Sequence, residues 1–417
     1  MEDIQDSKQR LIDKQQTQVT QQQKVSDSRE KYNQCVITEH GQDYLRRHIS
    51  PSGFSQKSVL FRILAFPFAL ICCVFLAIAE FQFICTVIFA LICGKTETVK
   101  NGVSTTSVIT AKHRTVGCIL GISEDSLAHY FSSPLVTIYG HCLYVYRYTF
   151  EGTLFGTYSS TSTSLTSIGY LSARTQFLDA FVENSEPRQL VILGAGMDTR
   201  SHRLKLPRGC KCFEVDAPST QKFKRDIVAP AQFKLFMAQE HMPDRNEFQG
   251  KTFTNTDVRY VPVNFEEEGP GGDVLVRLQQ EGFDSTRPAT FVLEGVSYYI
   301  TKQSLQDILT MVSKCAPGST IAFDFATDFW SDSSLTDTSI SQFMKFLERI
   351  GEPFRYGISP DETPMEAFRC GGTLAVEVWL GAKELQRRYL NITDDKYLMT
   401  KYHNGLMNFA VMKVNEK

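Results

Sequence analysis

The sequence lacks a strong net charge, a cysteine framework and a leader-like start. Its 44 Lys and Arg nearly balance its 46 Asp and Glu, which argues against a nucleic-acid binder because such proteins carry a basic excess. The eleven cysteines include no CxxC pair, so we expect neither a structural zinc site nor a disulfide scaffold, and a reducing compartment fits best. The sequence does not start with a short apolar stretch flanked by arginine, so we expect no cleavable signal peptide.

The composition indicates a globular protein with a polar start. Aromatic residues make up 12% of the 417 residues, too many for a wholly disordered chain, and the length allows two or three domain-sized units. Residues 1–34 are rich in Gln, Lys, Asp and Ser. We interpret 1–58 as a polar tail, disordered or loosely helical; a coiled coil is the alternative, although no heptad is sustained.

An apolar run follows over residues 59–93. A spanning helix needs about 20 apolar residues, and one helix of this whole length would be about 50 Å long, too long for a simple span. Three interpretations stay open: one tilted span, a hairpin that turns near Glu80 and Gln82, or a buried helix pair. Basic residues on both sides favour the hairpin, with both flanks in the cytoplasm. We expect membrane association, because the run is apolar on every face.

Residues 94–170 show no motif that carries chemistry, and we assign them as a helical connecting and lid region. From residue 171 onward, strand-like and helix-like segments alternate. Helices are predicted over 218–230 and 304–315, and a polar surface insertion over 232–257. This alternation predicts an α/β fold with a parallel, doubly wound sheet, whose ligands bind at the carboxyl ends of the strands. The predicted strands are 188–194, 211–216, 258–264, 289–295, 319–325, 374–380 and 406–414.

The first candidate binding element is the turn Gly194-Ala195-Gly196 at the end of a predicted strand. Glycines there let the backbone turn sharply and approach a ligand closely. Thr199 stands where a dinucleotide fingerprint has its third glycine. The pattern therefore favours a cofactor without a pyrophosphate over NAD or FAD, although turn glycines also occur without any ligand.

The second candidate is Asp216, which ends the next strand, 22 residues after Gly194. A carboxylate at this place accepts hydrogen bonds from both hydroxyls of a ribose. Its alternative role is to cap the following helix, because Pro218 suits a first helical turn. The glycine turn upstream favours the ribose role.

Three further polar residues are candidates, two of them at strand ends and one in a helix. The amide of Asn264 suits either the edge of an adenine or a turn cap. Glu294 ends a predicted strand and is followed by a glycine, so we expect its carboxylate to lie in the crevice at the strand ends. Arg174 lies in a predicted amphipathic helix over 171–181, and its guanidinium suits a ligand carboxylate. Its local alternative is a solvated arginine paired with Asp179 or Glu183.

These features together resemble the leucine carboxyl methyltransferase family, which includes related polyketide-type O-methyltransferases. The resemblance rests on VILGAGMDTRSHRL, FEVDAPSTQKFK, VRYVPVNF and FVLEGVSYYITKQSLQDILTMVSKCAPGSTIAFDF, in this order. It covers about residues 171–415 and implies an S-adenosylmethionine-dependent methyltransferase domain over 171–417. The implied fold is a Rossmann-like seven-stranded sheet, mostly parallel, with an antiparallel last strand.

The resemblance also implies roles for individual residues. Arg174 would hold the methionine carboxylate of S-adenosylmethionine, while Gly194 and Gly196 would line the cofactor loop. Asp216 would bind the ribose, and Glu294 would form the floor beneath the methionyl part. The adenine would lie against Asn264 and Phe265, although this family usually has Asp in place of Asn264.

The methyl acceptor is a small molecule or a protein carboxylate in this interpretation, and the catalytic part faces the cytosol. A carboxylate acceptor needs no general base, whereas a hydroxyl acceptor does. No His or Lys stands clearly at a strand end, which tilts the interpretation towards carboxyl methylation. Tyr298 and Tyr299 are candidates for the acceptor pocket. The alternatives are a NAD-type oxidoreductase and a membrane-anchored scaffold that keeps the fold without catalysis.

Overall fold

The computed structural model describes most of the chain from residue 102 onward and a few residues before it. The described residues are 36–37, 64, 66–72, 74–76, 102–150, 163–227, 258–265, 272–328, 338–359, 362, 364–368, 373–389 and 407–416. The expected polar tail lies outside these residues except for 36–37. The expected insertion over 232–257 lies outside them entirely.

A mixed sheet forms the centre of the molecule, in the order β1-β7-β8-β6-β5-β2-β3-β4. Strands β2 to β6 pair in parallel, whereas β8 runs antiparallel to both β6 and β7. The predicted α/β sheet of seven strands with an antiparallel last strand is thereby confirmed, and a two-residue strand adds an eighth at the edge. The strands are β1 Val36–Ile37, β2 Gln189–Leu193, β3 Lys211–Asp216, β4 Val258–Pro262, β5 Thr290–Leu293, β6 Thr320–Ala326, β7 Leu374–Gly381 and β8 Met407–Val414.

Helices cover both faces of this sheet. Consecutive residues of β2 are all buried because Val191 and Leu193 pack into one apolar core while Leu190 and Ile192 pack into another. A strand buried on both faces reads as a continuous apolar run, which is why the sequence located these strands well. The helices are α1 Thr105–Ile119, α2 Pro134–Phe150, α3 Thr163–Asn184, α4 Arg200–Arg203, α5 Gly272–Gln280, α6 Lys302–Ser313, α7 Thr338–Arg349, α8 Pro364–Ala367 and α9 Ala382–Tyr389, with a short 3-10 helix at Ala128–Phe131.

The order of the strands fixes where a ligand can bind. The chain builds β2, β3 and β4 outward in one direction and then returns to place β5 on the other side of β2. In sheets of this kind the crevice at such a reversal, outside the carboxyl ends of the strands, receives the ligand. Residues 218–227 are helical behind β3, in agreement with the predicted helix over 218–230 as far as the structure describes it.

Only part of the apolar run over 59–93 is described. Residues 64, 66–72 and 74–76 are helical, and the rest of the run lies outside the described residues, so the number of membrane crossings stays a prediction. Within the part of the chain that the structure describes, no helix combines the length and the apolar character needed to cross a bilayer.

Candidate functional site

A cavity of about 490 Å³ opens at the carboxyl ends of the parallel strands. Its walls come from α1, from the loops after β2, β3, β4 and β5, and from a segment that follows α7. All nine residues singled out in the sequence line this one cavity: Arg174, Gly194, Gly196, Asp216, Asn264, Phe265, Glu294, Tyr298 and Tyr299. The structure therefore brings the candidate residues together, while the ligand that each would bind stays a prediction.

The glycine turn after β2 admits no side chain. Gly194 has φ +65°, and a Cβ there would lie 2.3 Å from Cγ2 of Val296. Gly196 has φ +41°, and its Cβ would lie 3.0 Å from Cβ of Ser107 on α1. Both positions combine a left-handed backbone with close neighbours, so each needs glycine. The cavity floor is thus bare backbone at this point.

Asp216 joins the end of β3 to the glycine turn. Its carboxylate accepts hydrogen bonds from the backbone N–H of Gly196 at 2.5 Å and of Ala217 at 2.7 Å. Burial raises the pKa of Asp216 to about 6, against the lowering effect of these two N–H donors. The bond to Gly196 ties the two predicted motifs together. The bond to Ala217 goes to the residue before the helix that begins at 218, so it is not the capping bond to the second or third helical N–H; the ribose role stays a prediction.

The loop after β4 supplies the side of the cavity next to Asp216. The backbone N–H of Val263 donates to the carbonyl of Asp216 at 2.9 Å, which extends the pairing of the two strands. Asn264 and Phe265 follow at once, both half-buried. An amide and an aromatic ring beside a carboxylate form a wall that suits a flat, polar ring.

Arg174 is buried on α3, and its local alternative of a solvated arginine is wrong. Its Nε donates to Glu294 at 2.8 Å and its Nη1 donates to Asp324 at 2.8 Å, whereas Asp179 pairs with Arg200 and Arg203 instead. Burial opposes the ionisation of Glu294, but Arg200 and Arg174 hold the pKa of its carboxyl well below its usual range. Glu294 is therefore an anion at the cavity wall.

The pair of Arg174 and Glu294 belongs to a continuous buried network. Ion pairs connect four guanidinium groups with five carboxylates. Buried charges persist when each has an opposite partner, so this network holds α1, α3, α4 and the ends of β5 and β6 in one arrangement. Its members are Arg114, Asp125, Arg174, Asp179, Asp198, Arg200, Arg203, Glu294 and Asp324.

Arg114 is a cavity residue that the sequence did not reveal. It lies on α1, in the region where no chemical motif is visible, and it is 3% exposed. Its Nη2 donates to the carbonyl of Met197 at 2.6 Å and its Nη1 lies 3.3 Å from Asp125. Its Nε is buried and has no hydrogen-bond partner among the described residues. A buried donor without a partner costs free energy, so this atom points to a missing acceptor.

Tyr298 and Tyr299, which follow β5, form another part of the cavity wall. The hydroxyl of Tyr298 donates to Asp324 at 3.3 Å, and burial raises the pKa of both tyrosines above the ordinary value. Both hydroxyls therefore stay protonated near neutral pH. Phe354 packs against the two rings at centroid distances of 4.5 and 5.1 Å, which fixes them in place.

Comparison with known proteins relates this chain to one family. Residues 109–313 match the family model described as leucine carboxyl methyltransferase. A protein of Bacillus subtilis, YktD, is 31% identical over 188 residues, which are 44% of this chain and 54% of the relative. A protein of Mycobacteroides abscessus is 30% identical over 161 residues, 38% of this chain and 43% of the relative. The names of both describe them as proposed S-adenosyl-L-methionine-dependent methyltransferases. The chain thus spans about half the length of these relatives.

Solved structures show only distant likeness. A DUF574 family protein from Streptomyces avermitilis covers 76% of this chain and 99% of its own, with a TM-score of 0.40 and 12% identity. Geranyl diphosphate C-methyltransferase from Streptomyces coelicolor covers 59% of this chain and 78% of its own, with a TM-score of 0.33 and 12% identity. At these scores neither superposition supports a statement about this chain.

Proposed function

Because residues 109–313 carry the leucine carboxyl methyltransferase signature, we propose that this chain is an S-adenosylmethionine-dependent O-methyltransferase. The observation that carries the proposal is the convergence of the nine predicted residues around one cavity at the carboxyl edge of the sheet. These residues come from segments as far apart in the sequence as Arg174 and Tyr299, and they combine glycine backbone, carboxylate, amide and aromatic groups at the edge of the sheet where ligands bind.

The cavity fits the proposed cofactor at three points. Gly194 and Gly196 line the cavity without side chains, so a ligand can approach the backbone of this turn closely. The carboxylate of Asp216 suits two ribose hydroxyls, beside the amide of Asn264. At the other end, the unpartnered Nε of Arg114 suits the cofactor's carboxylate, and we propose that Arg114 binds it together with Arg174.

The buried network suits a cationic ligand. Glu294 lies at the cavity wall as an anion, because Arg200 and Arg174 hold the pKa of its carboxyl well below the usual range against the effect of burial. When bound, the cofactor supplies a methyl group on a positively charged sulfur. The Glu294 carboxylate would attract that charge and so favour cofactor binding; because the charge is lost as the methyl group leaves, this attraction serves binding and not the rate of the transfer. Arg174 and Arg200 hold Glu294 in position through their ion pairs.

We propose a carboxylate as the methyl acceptor. Among the described residues that line the cavity there is no His or Lys, and Tyr298 and Tyr299 keep their protons. A hydroxyl acceptor would need a general base, whereas a carboxylate is already ionised at pH 7. The protein's contribution is then placement of the two reactants in line and exclusion of water, which supplies as much as roughly 7–11 kcal/mol in ideal cases.

Transfer of a labelled methyl group tests this proposal. The full-length chain is incubated with cell extract and methyl-labelled S-adenosylmethionine, and the label is then separated into protein-bound and small-molecule fractions. We expect label that is released by mild alkali, because methyl esters hydrolyse and methyl ethers do not. Label that resists alkali would replace the carboxylate acceptor with a hydroxyl, and no incorporation above a heat-treated control would count against the activity itself.

We further propose that the chain is held at a membrane by its apolar segment. The helical residues of 64–76 carry no polar side chain, and Phe68, Ile71 and Val74 are 65%, 70% and 63% exposed. Leu135 and Ile138 on α2 expose further apolar surface, and contact between Cys72 and Cys142 joins this segment to α2. Surfaces of this kind mark membrane or protein contacts, and the apolar sequence continues to residue 93.

Sedimentation with phosphatidylcholine vesicles tests the membrane contact. We expect wild type to sediment and a Phe68→Ser, Ile71→Ser double variant to stay in the supernatant. Val276→Ser changes an equally apolar, 52% exposed residue on α5 and serves as the control. Wild type that stays in the supernatant would contradict the proposal. We also propose that the catalytic part faces the cytosol, where its cofactor is found. Asn391-Ile392-Thr393 is a glycosylation sequon, and a glycan on Asn391 in a eukaryotic host would contradict this orientation.

A further inference from the structure

The start of α1 and the residues before it line the cavity and are bonded to two separate parts of the protein. On one side, the Oγ of Ser219 donates to the carbonyl of Gly102 at 2.6 Å, next to the end that holds Asp216. On the opposite side, the N–H groups of Thr105 and Thr106 donate to the carboxylate of Glu352 at 2.6 and 3.0 Å. Ser219 thus holds the residues that lead into α1, and Glu352 holds its first turn.

Glu352 completes a cap that the local sequence leaves unfinished. The first N–H groups of a helix have no partner within the helix, and the side chain of Ser104 takes only that of Ser107. Glu352 takes those of Thr105 and Thr106 and also accepts from the hydroxyl of Thr106. A carboxylate is the best partner at this end of a helix because it also meets the positive end of the helix dipole. This partner comes from 246 residues away.

Glu352 lies in a segment over residues 350–358 that has anchors of its own. The N–H of Ile358 donates to the carbonyl of Ala326 at 2.9 Å, at the end of β6, and the N–H of Arg355 donates to the carbonyl of Tyr298 at 2.7 Å. These bonds are made by the backbone, so they do not need the Glu352 side chain. The segment over residues 350–358 is therefore held in place independently of its contact with α1.

Movement of α1 would disturb the cavity directly. Thr106, Ser107, Thr110 and Arg114 all line it, and their spacing places them along one face of the helix. We propose that Glu352 is a positioning residue, a latch that fastens α1 across the cavity and thereby sets how long the cofactor stays bound. This proposal rests on the proposed function for its ligand. Glu352 also lines the cavity itself, so an effect through α1 is separated from direct contact with the ligand by hydrogen exchange at Thr105 and Thr106 in the ligand-free protein.

The test compares the full-length wild type with Glu352→Ala, Glu352→Gln and the control Glu348→Ala. Glu348 is an exposed carboxylate on α7, four residues away. The dissociation rate of labelled S-adenosylmethionine is measured by dilution into unlabelled S-adenosylhomocysteine. We expect Glu352→Ala to raise the rate at least tenfold and Glu352→Gln to raise it less, because the amide oxygen still accepts one bond. Glu348→Ala is expected to match wild type.

Amide hydrogen exchange of the ligand-free proteins supplies a second readout. In Glu352→Ala we expect faster exchange at Thr105 and Thr106, with the amides of β5 unchanged and the unfolding midpoint lowered only slightly, as for the loss of a helix cap; a general loss of structure would speed exchange in β5 as well. A cofactor dissociation rate within twofold of wild type would overturn the latch. If wild type binds no cofactor at all, the proposed function fails first, so the two failures are distinguishable. Should Glu352→Ala not fold, Thr106→Val removes one bond of the latch and is judged by the same dissociation rate.

Discussion

The carboxylate of Asp216 accepts a hydrogen bond from the backbone N–H of Gly196, across the gap between the ends of β3 and β2. Each residue belongs to a separate sequence motif, and the bond makes them one structural unit. The glycine keeps the N–H accessible, and the carboxylate holds the turn in its left-handed conformation. Cofactor binding and the shape of the turn should therefore depend on each other.

Asp216→Ala is expected to weaken the binding of S-adenosylmethionine by about 1–3 kcal/mol, the loss typical of hydrogen bonds to a charged group. Calorimetric titration measures the change. Asp226→Ala, at an exposed carboxylate on the helical segment 218–227, should bind as wild type does. Unchanged affinity in folded Asp216→Ala would remove Asp216 from the site.

The same carboxylate predicts a pH dependence of binding. Burial raises the pKa of Asp216 in the free protein to about 6, so the group is mainly ionised at pH 7 and becomes protonated as the pH falls through 6. The ionised form is the better acceptor for sugar hydroxyls. Affinity should therefore be greatest above pH 7 and fall by up to about tenfold per pH unit well below pH 6. Asp216→Asn should remove most of this slope, and a slope that persists would assign it to another group.

Gly194→Ala is expected to abolish cofactor binding and to destabilise the fold. The added Cβ would lie 2.3 Å from Val296, at a φ of +65°. Gly121→Ala is the matched control, since Gly121 has φ +71° with nothing within 4 Å; it should show only the strain, about 1–2 kcal/mol. The change in the free energy of unfolding is measured for both variants. Adding Val296→Ala to Gly194→Ala should recover part of the loss, and no recovery would refute the collision as its cause.

Glu294→Gln is expected to destabilise the protein, because it leaves Arg174 and Arg200 short of one buried anion. Removing one partner of a buried ion pair costs about 3–5 kcal/mol, measured as the change in the free energy of unfolding. Glu362→Gln is the control. Its contact with Lys302 is long, at 3.9 Å, and solvent-exposed, so its loss should cost at most about 1 kcal/mol. Equal effects of the two substitutions would show that the network is not the stabilising element described here.

Local patterns in the sequence were sufficient for the sheet and for much of the cavity. Buried parallel strands such as β2 are continuous apolar runs, and the residues at their carboxyl ends must share one edge, so Gly194, Asp216 and Glu294 could be located together. Asp324 also left a signal, because it is a single carboxylate within an apolar strand.

Long-range partners left no such signal. Arg114 and Glu352 lie in segments whose local pattern shows only a helix and a loop. Their importance depends on which distant groups they meet: Arg114 meets the Met197 carbonyl and Asp125, and Glu352 meets the first turn of α1. The pairing of Arg174 with Asp324, 150 residues away, was hidden for the same reason. Helical spacing could predict only partners of Arg174 on α3 itself.

Calorimetric titration of the full-length chain with S-adenosylmethionine, S-adenosylhomocysteine and NAD tests the central claim most directly. The cavity at the sheet edge predicts that the first two bind at one site per chain, that each displaces the other, and that NAD produces no heat of binding. Binding of NAD in their place would indicate an oxidoreductase, and no binding of any of the three would indicate a scaffold without a cofactor; either result would contradict the account.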